Sequence, residues 1–393
     1  MLDILYIAWK YISFYRLRTL TLIACVSLIA ILPLSLEVML NETERQLLSR
    51  ANSTPLLLGA RGSALDLVMN SLYYDDEVPE LINMTAVDTI DASGSAYPIP
   101  LYVRFMARGF PVVGTTLDYF DFRDLEIAEG RQLAMLGECV IGADVAEKLG
   151  LSAGDSLLTS PEALFDLAGV YPLKMKIAGV LERSFTPDDN TVLVDVKTAW
   201  VIQGLVHGHE DVSAVTDSTV IMQRDEDNIV ASAKLVEYNE ITPQNIDRFH
   251  FHGSPDDYPL SAVIVVPDDE RAGTILRGRY LDINNPYQLV QPADVIDGLL
   301  ANIFRIKDVL DAVVLFVGIA TLLALLLVFS LSVRLRKREI DTVFQIGGSR
   351  STIARLLMSE IAIILLASTL LCGGALLLVQ QNSDYLVRAL IIS

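Results

Sequence analysis

Residues 312–333 read AVVLFVGIATLLALLLVFSLSV and contain no charged side chain. The run is about the ~20 residues a helix needs to cross a ~30 Å hydrocarbon core. Inside lipid every backbone N–H and C=O needs an internal partner, so the run is read as a membrane helix. Two further uncharged runs accompany it, Thr19–Leu36 and Ile361–Ser383. Core helices of soluble proteins seldom stay uncharged for so long. Thr19–Leu36 is the shortest and holds Pro33, whose freed backbone group is satisfied by neighbouring helices. It follows a long charged leader and precedes no small-residue cleavage site. It therefore reads as a retained anchor rather than a removed signal.

Charge sets the orientation. Lys10, Arg16 and Arg18 precede the first run, and Arg334, Arg336, Lys337, Arg338, Arg350 and Arg355 lie between the second and third. Basic residues stay on the cytoplasmic side. The expected order is a cytoplasmic interfacial helix over 1–18, a membrane helix over 19–40 and an outer domain over 41–307. A second membrane helix over 308–333, a cytoplasmic loop over 334–356, a third membrane helix over 357–383 and an outer tail over 384–393 follow. Leu5, Ala8, Ile12 and Tyr15 share one face of the leading helix. The outer segment carries 20 Lys+Arg against 41 Asp+Glu, a net charge of −21, while the remainder carries 10 against 8. That acidity offers nothing to a nucleic-acid partner. Cys25 and Cys372 lie in membrane runs, and Cys139 stands alone in the outer domain, so no disulfide framework forms within it.

The outer domain reads as α+β. Strands are expected at Pro55–Leu58, Val112–Gly114, Glu138–Ile141, Leu173–Leu181, Thr191–Asp195, Ser218–Met222 and Ser261–Val266. Helices are expected at Ala64–Leu72, Ala143–Leu149 and Ala231–Tyr238, and a helical stalk over 288–311. Asp188-Asp189 and Asp268-Asp269-Glu270 read as solvated turns, since neither has the spacing of a calcium loop.

Between the second and third runs the chain reads Arg336-Lys337-Arg338-Glu339-Ile340, then Ile346-Gly347-Gly348-Ser349-Arg350. This is a basic stop, a short amphipathic segment, a Gly-Gly break and a new helix with Ser349 at its N-cap. An exposed cytoplasmic segment of this kind suits docking to a soluble partner.

This loop resembles that of the MacB/FtsX/LolC group of ABC transporter permeases in residue type and spacing. A second stretch is similar to the periplasmic core of that group. It comprises Gly130-Arg131, Gly137–Gly142, Leu149-Gly150-Leu151, Gly154-Asp155 and Ile177–Leu181. The resemblance implies a bacterial inner-membrane protein with its large domain in the periplasm. It implies that Arg338, Glu339, Ile340, Ile346, Gly347, Gly348, Ser349 and Arg350 meet a cytoplasmic ABC ATPase subunit, which binds the ATP. It also implies a second permease subunit, identical or not, and a periplasmic or outer-membrane partner. The group usually has a fourth membrane helix; three apolar runs here put its usual dimer packing in question. Residues 200–260 match nothing in the group.

No G-x-x-x-x-G-K-[ST] loop, G-x-S-x-G or H-E-x-x-H motif occurs. The chain is therefore expected to be no enzyme and to hold no nucleotide. All four histidines fall in two H-x-H pairs, His207/His209 and His250/His252, with Glu210, Asp211, Asp256 and Asp257 beside them. Imidazoles with a carboxylate suit Zn²⁺. Spacing leaves open whether the pairs meet. The expected function is coupling of ATP hydrolysis by a separate subunit to movement of the periplasmic domain (mechanotransmission). That movement exports or extracts a lipoprotein, a peptide or a hydrophobic small molecule. The alternatives are an FtsX-like signalling protein that activates a periplasmic partner, a metal-linked transport system using the histidine pairs, and a membrane-anchored sensor with no ATPase.

Overall fold

The computed structural model describes residues 2–160, 172–208, 221–224, 229–231, 239–251, 253–335, 337, 341–342, 345 and 349–381. Along these the helices are α1 (Leu2–Phe14), α2 (Arg16–Asn52), α3 (Ala64–Tyr73), α4 (Thr85–Asp91), α5 (Asp118–Arg123) and α6 (Ala143–Leu149). They continue with α7 (Val196–Ile202), α8 (Glu270–Arg279), α9 (Pro292–Leu335) and α10 (Arg350–Gln381). The strands are β1 (Leu56–Ala60), β2 (Ile82–Asn83), β3 (Ala96–Ala107), β4 (Phe110–Thr115), β5 (Ile127–Gly130), β6 (Glu138–Ile141), β7 (Ser156–Leu158) and β8 (Lys174–Leu181). After them come β9 (Val192–Asp195), β10 (Val206–Gly208), β11 (Ile221–Arg224), β12 (Ile229–Ala231), β13 (Phe249–Phe251), β14 (Pro259–Leu260), β15 (Ala262–Pro267) and β16 (Tyr287–Val290).

The chain folds as two units, one of Met1–Leu47 with Leu299–Ser393 and the other of Leu48–Gly298. In the first, α2 and the Ser351–Gln381 part of α10 are long and apolar enough to cross a membrane. The apolar run 312–333 lies within α9. A turn at Tyr15 separates α1 from α2. Ser27 Oγ donates to the Ser368 carbonyl (3.4 Å) and Ser368 Oγ to that of Ile23 (3.5 Å). Both serines are buried. Small hydroxyl residues let α2 and α10 approach and bond where lipid offers no partner.

The second unit is built on a ten-stranded mixed sheet in the order β16-β1-β15-β3-β4-β9-β6-β8-β5, with β7 also on β8. The β4–β9 and β6–β8 pairs are parallel, and the other pairs of this sheet are antiparallel. Val and Ile side chains of β6, β8, β9 and β15 enter the core with Tyr102, Trp200 and Leu260. This is the α+β organisation that the alternation predicts, and β6 and α6 have the expected bounds.

Four expectations need correction. The longest strand, β3, is not among the expected strands; it carries Pro98 and Pro100, and proline is rare in a central strand. The register shows why they are tolerated. Two residues apart, they share one flank of β3, and the Pro100 carbonyl accepts from Thr115 Oγ1 of β4 (2.9 Å). On that flank β4 pairs only Tyr102–Ala107, so the missing N–H groups break no ladder bond. The stalk begins later than 288, because Gln288–Val290 pair with β1 and close one edge of the sheet; α9 starts at Pro292. Ala231 ends a strand rather than starting a helix, and 232–238 lie outside the described residues. Finally, Asp188 and Asp189 do form a turn, the 3₁₀ turn Pro187–Asn190, but neither is solvated: both are 0% exposed.

Candidate functional site

Of the ATPase-facing residues expected from the sequence, Arg338, Glu339, Ile340, Ile346, Gly347 and Gly348 lie outside the described residues. Ser349 precedes α10, and its Oγ accepts the Thr352 N–H at 3.2 Å. That is the N-cap bond that stabilises a first helical turn. Arg350 is the first residue of α10.

For the histidines, β10 pairs antiparallel with β13, and the register sets His207 opposite His250. The register thus sets one residue of each H-x-H pair across from the other on neighbouring strands. His209, Glu210, Asp211 and His252 lie outside the described residues, and Asp256 and Asp257 are exposed in a 3₁₀ turn. Among the described residues no group of three His, Cys, Asp or Glu side chains forms a metal site.

The structure adds a site that sequence reading missed. Arg50 sits in the last turn of α2, is 6% exposed, and belongs to the outer unit. Its Nη1 and Nη2 grip Asp188 Oδ2 (2.6 Å) and Oδ1 (2.9 Å). Nη2 also reaches Tyr74 Oη (2.8 Å) and Tyr119 Oη (2.7 Å), and Nε reaches the Leu72 carbonyl (3.3 Å). Tyr74 and Tyr119 hydroxyls donate to Asp188 Oδ1 at 2.6 and 2.8 Å. One guanidinium thereby joins α2, the end of α3, α5 and the turn before β9. Tyr74, the α3 C-cap, adopts left-handed backbone (φ 63°) to point its ring there.

A second guanidinium locks the chain just past α2. Arg123, at the end of α5, donates to Ser53 Oγ (2.9 Å) and Thr54 Oγ1 (2.7 Å). Those hydroxyls donate in turn to the Arg50 carbonyl at 2.9 and 3.1 Å, satisfying an orphan group of the helix terminus. Burial, and then the Arg50 charge, push the Arg123 pKa down. Burial alone would raise the Asp188 pKa; the Arg50 charge and hydrogen bonds from Arg50 and Tyr74 outweigh it and hold it at about 2.

The turn itself is wedged. Gly142, before α6, has ordinary extended backbone (φ −66°, ψ 159°). A Cβ there would lie 2.2 Å from the Asp189 carbonyl oxygen and 2.4 Å from that of Asp188. The Asp189 carboxylate accepts from Ser184 N–H (2.9 Å) and Phe185 N–H (2.8 Å), fixing the loop ahead of the turn. Arg131 pairs with buried Glu138, whose Oε2 also accepts the Ala134 and Met135 N–H groups at 3.1 Å. The family-like residues Arg131, Glu138 and Gly142 thus hold the scaffold.

Comparison with known proteins gives three findings. The MacB-like periplasmic core domain family matches residues 23–237, more than half of the chain, and so takes in 200–237, a stretch that the sequence reading left outside the group. The extracellular domain of the noncanonic ABC-type transporter YknZ from Gram-positive bacteria is similar at 14% identity, over 60% of this chain and 98% of that one, with a TM-score of 0.32. The periplasmic region of MacB from Actinobacillus actinomycetemcomitans is similar at 10% identity, over 65% and 98%, with a TM-score of 0.33. No curated protein matches the sequence.

Proposed function

The chain belongs to the MacB-like periplasmic core domain family and is an ABC transporter permease of the FtsX/MacB-like kind, and we propose that it works by mechanotransmission. An ATPase subunit docks on residues 334–356, and ATP binding and hydrolysis there move the membrane helices and with them the outer domain. The cargo is a periplasmic or membrane-embedded molecule such as a lipoprotein, a peptide or a hydrophobic small molecule. The chain crosses the inner membrane three times, through α2, α9 and α10, with its N-terminus in the cytoplasm, and works as a pair of permease subunits.

The observation that carries this reading is the R-K-R-E-I and I-G-G-S-R segment between α9 and α10. Purified alone, the chain is expected to hydrolyse no ATP, since it has no phosphate-binding loop. With the cognate ATPase, Glu339→Ala or Ile346→Ala abolishes coupling while membrane insertion persists. Normal coupling in both variants removes the segment from the mechanism.

The His207–His250 register favours one addition, a zinc-responsive site on β10 and β13 completed by His209, His252 or a neighbouring carboxylate. Calorimetry of the full chain with Zn²⁺ is expected to show binding tighter than about 0.1 mM. His207→Ala and His250→Ala should each abolish it. Loss in only one variant returns these residues to the surface.

A further inference from the structure

We propose, on the reading of the chain as one of a pair of permease subunits, that the loop 281–286 is a contact between the outer domains of two copies of this chain. Leu281 and Ile283 form its apolar centre.

The loop joins α8 to β16, an edge strand of the ten-stranded sheet. Arg61, just past β1, holds it. Its Nε donates to the Asn285 carbonyl (2.7 Å), and its Nη2 to those of Tyr280 (3.1 Å), Asp282 (2.8 Å) and Tyr287 (3.1 Å). The Arg61 N–H donates to the Pro286 carbonyl at 2.8 Å. Asp282 Oδ1 accepts the Asn284 N–H, and Asn285 Oδ1 that of Tyr287, each at 3.0 Å. With its carbonyls turned onto one guanidinium, the loop has a fixed shape. Leu281 and Ile283 stand out from it, each 80% exposed. No other large apolar residue described in the outer unit exceeds 65%. Single exposed apolar side chains are ordinary. Two on one preorganised loop make a rigid anchor, because little ordering cost is left for association.

The charge pattern selects a second copy as the occupant. The outer segment 41–307 carries 20 Lys+Arg against 41 Asp+Glu, so two copies repel over most of their surface. Residues 270–294 are balanced, with Arg271, Arg277 and Arg279 against Glu270, Asp282 and Asp294. Arg277 is engaged within its own chain, by Gln291 Oε1 (2.7 Å) and Asp294 (3.2 Å). Arg279 and Asp282 are exposed on either side of Leu281. A two-fold contact uses the same patch on both copies, so that patch must complement itself. The cation, the anion and the two aliphatic side chains of 279–283 do so: Arg279 of each copy meets Asp282 of the other beside the apolar centre. The loop is too small for the ~1,200–2,000 Å² of a free-standing interface. It suffices between domains that subunit pairing already brings together, where the effective concentration is high.

The test uses the full chain in nanodiscs, co-expressed with two affinity tags on separate copies. Ile283→Cys, and Glu77→Cys as a control at another exposed position, are made in a Cys25→Ser/Cys372→Ser background; Cys139 is buried. Oxidation with copper–phenanthroline links cysteines that meet across the two-fold axis. The two tags are expected to co-purify, and Ile283→Cys to give at least about tenfold more disulfide-linked dimer than Glu77→Cys. Adding Leu281→Asp to Ile283→Cys is expected to cut that yield about tenfold at an unchanged melting temperature, since Leu281 is outside the core. Co-purification with no more linkage at Ile283→Cys than at Glu77→Cys overturns the contact and leaves the paired permease standing. Linkage that Leu281→Asp leaves unchanged does the same. Failure of the two tags to co-purify overturns self-pairing as well.

Discussion

Asp188→Ala lowers the stability of the outer domain by about 3–5 kcal/mol, because it strands a buried guanidinium. Arg50 is left with two phenols and a carbonyl, none of which neutralises it. Arg123 is close enough that its charge already disfavours a second uncompensated cation. For a domain of this size the loss corresponds to roughly 6–20 °C in melting temperature. Trp200 reports it well, being 4% exposed and stacked on Tyr258 at 4.6 Å, and a Trp9→Phe background isolates its fluorescence. The same carboxylate sets an acid limit. Its folded pKa of about 2 lies below the unfolded value, so its contribution is fully present above about pH 4. It is lost as pH falls through about 2, and amounts to about 2 kcal/mol. Wild type should therefore melt progressively lower across that window, while Arg50→Met/Asp188→Leu loses this part of the dependence. Equal melting of Asp188→Ala and wild type at neutral pH would show that the pair bears no weight.

Gly142→Ala is expected to cost at least about 3 kcal/mol, at the upper end for an overpacked site. The added methyl meets two backbone oxygens, which cannot swing aside as a side-chain tip can. The backbone at Gly142 is one alanine adopts freely, so the loss is steric. Gly150 provides the contrast. It caps α6 in left-handed conformation (φ 64°) with nothing within 4 Å of an added Cβ. Gly150→Ala should cost only about 1–2 kcal/mol, the strain of that backbone region. Melting both variants by Trp200 fluorescence separates the two causes. A Gly142→Ala loss no larger than that of Gly150→Ala would mean that the 187–190 turn can move.

Much of this architecture is legible along the chain, for local reasons. The uncharged runs need only length and composition, and β6, β8 and α6 carry their periods in a few consecutive residues. Gly142 and Gly150 stand at the two ends of α6, yet one is required for close approach and the other for its backbone angle. Those causes are three-dimensional and leave the same letter. β3 carries Pro98 and Pro100, and a proline's cost in a strand depends on which flank has a partner, which only the register gives. The Arg50–Asp188 pair was the least visible. Pro187-Asp188-Asp189-Asn190 has the composition of a solvated turn, and the arginine that buries it stands 138 residues earlier. A basic residue in the last turn of a long helix also has an ordinary explanation in the helix dipole. For the histidines, H-x-H spacing marked two pairs, and only strand register could bring His207 opposite His250.

Affinity purification of the full-length chain from its native membranes tests the central claim most directly. Wild type is compared with a form whose residues 338–350 are replaced by a Gly/Ser linker. A permease worked through this segment is expected to bring down an ABC ATPase subunit in stoichiometric yield. The linker form, still inserted in the membrane, should bring down none. Recovery of no ATPase with wild type, or of equal amounts with both forms, would contradict the account.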